Sequence, residues 1–82
     1  MHTYAICNMF DTDIYHKQCA ALEKNIPELK KERELEDVDG GLYMHYTYRG
    51  SKITVKNSRY TDKITIESEI LLNQFFPNAK EV

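Results

Sequence analysis

Apolar and polar residues alternate along the middle of the chain in a way that predicts an antiparallel β-sheet. The alternation is strict in residues 53–57 (ITVKN) and 64–70 (ITIESEI), so each segment has one apolar and one polar face. Residues 42–48 (LYMHYTY) alternate less sharply because both of their faces carry rings. Polar residues 49–52 and 58–62 form short connections, which suit hairpins because a parallel crossover needs about a dozen residues or more.

Two elements are predicted before this sheet. Residues 2–10 (HTYAICNMF) read as a strand with apolar residues on both faces, which indicates a central or well-covered strand. A helix is predicted from about Thr12 to Asn25, since residues 11–13 offer N-cap side chains and Pro27 cannot continue a helix. The apolar stripe at helical spacing consists of Tyr15, Cys19, Leu22 and Ile26.

Residues 27–38 (PELKKERELEDV) allow two interpretations. Most of these residues favour helices, and their apolar positions fit neither the helical nor the strand period. We prefer a polar edge strand over about Lys31–Val38, because residues 39–41 (DGG) supply hairpin turn chemistry before the next strand. A second short helix is the alternative. After the sheet, residues 71–76 predict one helical turn that packs on the core, and residues 78–82 a frayed tail.

The predicted fold is therefore a single α+β domain spanning residues 1–82. One N-terminal strand and one amphipathic helix precede a four-strand meander, giving a mostly antiparallel sheet of four to five strands. The helix is expected to cover one face of this sheet and to leave the other face open to solvent. A chain of 82 residues buries only about 60 to 65% of its unfolded surface, which favours function on an open surface over an enclosed cavity.

Composition narrows the class of protein. Charged residues are 29% and apolar residues 41% of the chain, which is typical of a globular protein. The net charge of −2 gives no general attraction to nucleic acid or to an anionic membrane. No apolar run approaches the roughly 18 residues of a membrane span, and the first residues lack the pattern of a signal peptide. We expect a cytoplasmic protein in which Cys7 and Cys19 are reduced thiols.

The open face of the sheet is the first candidate binding surface. Four of the six tyrosines fall between positions 43 and 60, and Tyr and Arg are frequent at protein–protein interfaces. The alternative is that the tyrosines only cover a half-exposed sheet. Alternation places on this face Tyr43, His45, Thr47, Thr54, Lys56, Thr65 and Glu67. The predicted contact residues are Tyr43, His45 and Lys56, with Tyr60 in a neighbouring loop and Arg49 in a turn.

The acidic segment 32–39 is the second candidate. Its residues Glu34, Glu36 and Asp37 are predicted to meet a basic partner, because an acidic surface steers such a partner and speeds association. This pattern suits a small inhibitor or immunity-type protein that acts on a nucleic-acid-handling protein. The alternative is a solvated edge that prevents aggregation.

Two other kinds of partner are weighed against a protein partner. A homodimeric accessory protein would use the apolar residues 71–76 as its seam. A single-stranded nucleic-acid binder would use the tyrosine-bearing face together with Lys52, Lys56, Arg59 and Lys63, although nearby acids oppose this.

Neither catalysis nor metal binding is predicted. His16 and Cys19 lie one helical turn apart, but the paired short spacings of zinc sites are missing. Cys7 or Cys19 paired with His45 lacks an orienting third group. We therefore predict a non-enzymatic protein without a cofactor.

Overall fold

One helix packed on a five-stranded antiparallel sheet makes up the fold, as a computed structural model of all 82 residues shows. The predicted α+β class with an N-terminal strand is confirmed. In chain order the elements are β1 (His2–Cys7), α1 (Thr12–Asn25), β2 (Lys30–Glu36), β3 (Leu42–Tyr48), β4 (Ser51–Ser58), β5 (Lys63–Ser68) and a short 3-10 helix (Leu72–Gln74).

The spatial order of the strands is β1-β5-β4-β3-β2, with every neighbouring pair antiparallel. β1 therefore lies at one edge, so of the two predicted settings, central or well covered, the central one is wrong. The strand also ends at Cys7 rather than at residue 10. A bulge between Ala5 and Cys7 explains the doubled apolar pattern. It lets the consecutive residues Ile6 and Cys7 both pack against the core. α1 then carries the chain across one face of the sheet to the opposite edge.

The helix has the predicted bounds, and local chemistry explains both ends. The Asp11 carboxylate caps the first turn by accepting a hydrogen bond from the Ile14 N–H at 3.0 Å. Ile26 is extended because Pro27 follows it. No helix in the structure combines the length and the apolar character that a membrane span needs.

The hydrophobic core lies between α1 and the covered face of the sheet. The helix contributes the predicted stripe, and β4 and β5 contribute the alternating apolar residues that were predicted to face it. The 12 buried apolar residues of this cluster are Tyr4, Tyr15, Cys19, Leu22, Ile26, Met44, Tyr46, Ile53, Val55, Ile64, Ile66 and Leu72.

The ambiguous segment forms edge strand β2, so the preferred interpretation is confirmed and the second helix is wrong. All seven of its residues are exposed, because β2 lies at the edge of the sheet and pairs only with β3. The following turn closes with a 2.8 Å hydrogen bond from the Asp37 N–H to the Gly41 carbonyl. Gly40 has a φ of +91°, a conformation that favours glycine.

The C-terminal segment is ordered against β1. The predicted helical turn is present, and Phe75 and Phe76 pack on the core. The frayed tail predicted for residues 78–82 is wrong, since the Val82 N–H donates to the Thr3 carbonyl at 2.7 Å. The position of β1 explains the difference, because an edge strand offers backbone groups that no neighbouring strand occupies.

Candidate functional site

The open face of the sheet carries side chains in rows that cross the strands, as the pairing register shows. Every residue that alternation predicted for this face lies on it. One row crosses all five strands through Thr3, Glu67, Thr54, His45 and Arg33. The next row consists of Ala5, Thr65, Lys56, Tyr43 and Leu35. The three central candidates Tyr43, His45 and Lys56 are thus brought together.

One hydrogen bond and one ion pair hold the centre of this face. His45 Nδ1 lies 3.2 Å from the Thr54 hydroxyl, and Lys56 Nζ lies 3.0 Å from a Glu67 carboxylate oxygen. Two open depressions of about 370 and 340 Å³ flank this centre, one beside His45 and the other beside Tyr43 and Lys56. The surface is uneven and polar, and it encloses no cavity.

The open face is more positive than the chain as a whole. Its strands carry five cations, Lys30, Arg33, Lys52, Lys56 and Lys63. Glu32 and Glu67 are the carboxylates among them, and Glu69 lies at the border. Because the net charge of the whole chain is −2, the excess of acids lies on the other surfaces.

The acidic segment does not form one surface. The register places Glu34 opposite Met44 and Glu36 opposite Leu42, on the side that faces α1. Glu32 points to the open side instead, where it accepts a hydrogen bond from the Thr47 hydroxyl at 2.8 Å. Asp37 lies in the β2–β3 turn. Strand alternation therefore divides the acids that the sequence groups together.

Arg49 and Tyr60 lie at opposite ends of the sheet, outside the central group. The Arg49 guanidinium contacts the Glu28 carboxylate at 3.2 Å, and this hydrogen bond raises the pKa of Arg49. The same guanidinium lies 5.2 Å from the centre of the Tyr48 ring. Tyr60 is in the β4–β5 turn and is 92% exposed.

A polar cluster under the helix was not predicted from the sequence. The Tyr15 hydroxyl donates to Glu34 at 2.7 Å and the Tyr46 hydroxyl donates to Glu23 at 2.6 Å. Burial, together with these hydrogen bonds, raises the pKa of both tyrosines, and burial also raises the pKa of the Cys19 thiol beside them. The thiol is therefore protonated at neutral pH and is a poor nucleophile. Local sequence patterns do not reveal these bonds, because they depend on how α1 packs against β2 and β3.

The candidate catalytic and metal groups do not converge. Cys19 lies under the helix, whereas His45 lies on the open face, on the other side of the sheet. Cys7 pairs with Ile64 on the covered side, so it does not meet His45 either. No group of three or more His, Cys, Asp or Glu side chains is arranged to hold a metal ion.

No protein-family model, curated protein or solved structure matches the chain. Function is therefore inferred from the geometry and charge of the surfaces described above.

Proposed function

We propose that this chain is a non-enzymatic domain that binds another protein through the open face of its sheet. The observation that supports this is the grouping of Tyr43, His45 and Lys56 at the centre of a positively charged face that no other element covers. Charge complementarity then favours a partner with an acidic surface. A cytoplasmic location belongs to the same proposal.

The side chains of this face suit a protein better than a nucleic acid. Single-stranded nucleic acids bind by stacking several bases on aromatic rings. The open face offers only the rings of Tyr43 and His45, and His45 is hydrogen-bonded within the sheet. The charge of Lys56 is partly neutralised by Glu67.

The inhibitor or immunity-type role is a finer form of this proposal. The acidic segment 32–39 led us to expect a basic partner. Because the open face is positively charged, the proposed partner is instead an acidic protein. The homodimer alternative has less support, because Leu72 is buried and Phe75 and Phe76 pack on the chain's own core. Only Leu71 of that apolar segment is largely exposed, at 51%.

The first experiment replaces Tyr43, His45 and Lys56 with Ala. Because truncating a central interface residue removes much of the binding energy, we expect affinity to fall by at least about 10-fold. Wild type is immobilised and exposed to a nuclease-treated lysate of the producing cells, and the captured protein is purified. Calorimetric titration then compares the two forms, and circular dichroism verifies that the variant folds.

A matched control replaces His16, Lys17 and Lys24 with Ala on the outer surface of α1, where all three are exposed. It removes one more lysine than the test variant does, but away from the proposed interface, and it should keep wild-type affinity. Unchanged affinity of the Tyr43, His45 and Lys56 variant would contradict the proposal. A partner that is recovered only when the nuclease treatment is omitted, or capture of the chain itself alone, would favour one of the alternatives.

A further inference from the structure

Three loops meet at one end of the sheet, and together they form a surface that we name the loop end. It consists of residues 8–11 between β1 and α1, residues 37–41 between β2 and β3, and residues 59–62 between β4 and β5. Antiparallel pairing brings them together, because Leu42 pairs with Asn57 and Ile64 pairs with Cys7.

Contacts hold the loops 8–11 and 59–62 together, and the Arg59 side chain also lies beside Gly40 in the loop 37–41. The Phe10 N–H donates to the Asp62 carboxylate at 2.8 Å, and the Arg59 guanidinium lies 4.8 Å from the centre of the Phe10 ring. The Asp11 N–H donates to the side-chain oxygen of buried Asn57 at 3.2 Å. A surface ordered in this way loses little conformational entropy when it binds.

Each of the three loops exposes one large apolar side chain. Met9 is 53% exposed, Tyr60 is 92% exposed and Val38 is fully exposed. Leu35, which is 42% exposed, lies in the neighbouring row of the open face. Isolated apolar residues are common on protein surfaces. We infer a contact site from their presence on three adjoining loops, because grouped apolar side chains mark interaction surfaces.

The charge around these side chains restricts the partner. The loops carry Asp11, Asp37, Asp39 and Asp62 against one cation, Arg59. This negative surface opposes nucleic acid and anionic membranes. It complements a protein surface on which Lys and Arg border an apolar cleft.

We propose that the loop end is a second protein-docking surface, which places Met9, Val38 and Tyr60 in an apolar cleft bordered by cations on the partner. It differs from the open face in both charge and chemistry. The two surfaces therefore select different partners, and each is tested by its own variants.

The test begins with benzoylphenylalanine, a photo-crosslinking residue, in place of Tyr60 in the full chain. The same residue in place of exposed Leu71, near the opposite end, is the control. Both forms are irradiated in a nuclease-treated lysate of the producing cells. The protein that crosslinks at position 60 and not at position 71 is purified, and its affinity for wild type and variants is measured.

Two variants probe the two parts of the proposal. Val38→Ser with Tyr60→Ser is expected to weaken binding by at least about 10-fold. Asp37→Asn with Asp39→Asn keeps the side-chain oxygens that accept turn hydrogen bonds and removes the charge. It should weaken binding severalfold and reduce its dependence on salt. Leu71→Ser and the Tyr43, His45 and Lys56 variant should both keep wild-type affinity for this partner.

Four outcomes would overturn the proposal. These are the absence of a crosslinked protein specific to position 60, a crosslink to a second copy of the chain, affinity unaffected by Val38→Ser with Tyr60→Ser, and loss of the same partner in the open-face variant. The last outcome would mean that one continuous surface binds one partner. If only the open-face experiment contradicted its proposal, the proposal for the loop end would be unaffected.

Discussion

Two buried tyrosine hydroxyls show how the core accommodates polar atoms. Tyr15 is 0% exposed and Tyr46 is 1% exposed, and each hydroxyl donates to a glutamate at the rim of the core. Glu23 also contacts Lys31 Nζ at 3.3 Å, which connects α1 to edge strand β2. The carboxylates stay partly in water while they satisfy hydroxyls that would otherwise be costly to bury.

These tyrosines should make the protein sensitive to alkaline pH. Their pKa values are raised in the folded state, so above about pH 10 the unfolded chain loses protons first and is stabilised by that loss. The free energy of unfolding should therefore fall as pH rises, by about 1.4 kcal/mol per pH unit for each tyrosine. Tyr46→Phe should make this fall shallower, as urea denaturation between about pH 8 and 11 would measure.

Tyr60→Phe is the matched control, because the Tyr60 ring is 92% exposed and meets water in both states. It should keep the slope of wild type. Equal slopes for Tyr46→Phe and wild type would mean that burial of this hydroxyl does not link folding to proton binding.

At the scale of elements, local chemistry made most of the structure predictable. Asp11 and Pro27 define the ends of α1 within a few residues of sequence, and alternation defines β3 to β5. The edge position of β1 could not be predicted, since it depends on pairs such as Tyr4 with Ile66 that lie far apart in the chain. The division of acids between two faces depends in the same way on how β2 pairs.

The charges of β2 should prevent the sheet from pairing with a second copy. In a two-fold antiparallel pairing of two β2 edges, the residue at the axis faces its own copy, so Glu32, Arg33 or Glu34 would each oppose a like charge. Glu32→Thr with Arg33→Thr keeps the net charge and removes this repulsion from the pairings in which position 32 or 33 lies at the axis. We expect this variant to self-associate as concentration rises, in sedimentation velocity, while wild type does not pair through this edge.

The control for this prediction is Asp13→Asn with Lys17→Gln on the outer side of α1, which also removes one acid and one base from exposed positions. It should sediment as wild type does. If the β2 variant also sediments as wild type does at every concentration, then charge is not what protects this edge.

At the scale of the whole molecule, charge divides the surface into two regions. The open face is positive and the loop end is negative, although the net charge of −2 is close to zero. Alternation was enough to group Tyr43, His45 and Lys56. Alternation could not show that Arg49 and Tyr60 lie at opposite ends of the sheet. The end at which a turn lies depends on the direction of the strands that it joins. The total composition therefore does not describe the surface of this chain, because the charges are divided unequally between its regions.

Tyr4 connects the N-terminal strand to the C-terminal segment of the chain. Its ring is 2% exposed, and its hydroxyl accepts a 2.8 Å hydrogen bond from the buried N–H of Leu72. This bond joins the first strand to the 3-10 helix that follows the last strand. Because no neighbouring strand lies outside β1, the C-terminal segment provides the cover that a further strand would give.

Tyr4→Phe should therefore destabilise the whole fold and not only its C-terminal part. The substitution keeps the ring but leaves the Leu72 N–H buried without a partner, which costs about 1 to 3 kcal/mol. Urea denaturation measures this loss, and hydrogen exchange shows whether β1 opens together with the 3-10 helix. Tyr48→Phe is the control. That ring is half-buried and packs edge-on against Phe75, and water can occupy the place of the hydroxyl that the substitution removes. Equal losses in the two variants would mean that ring packing, and not the hydrogen bond to Leu72, joins the ends of the chain.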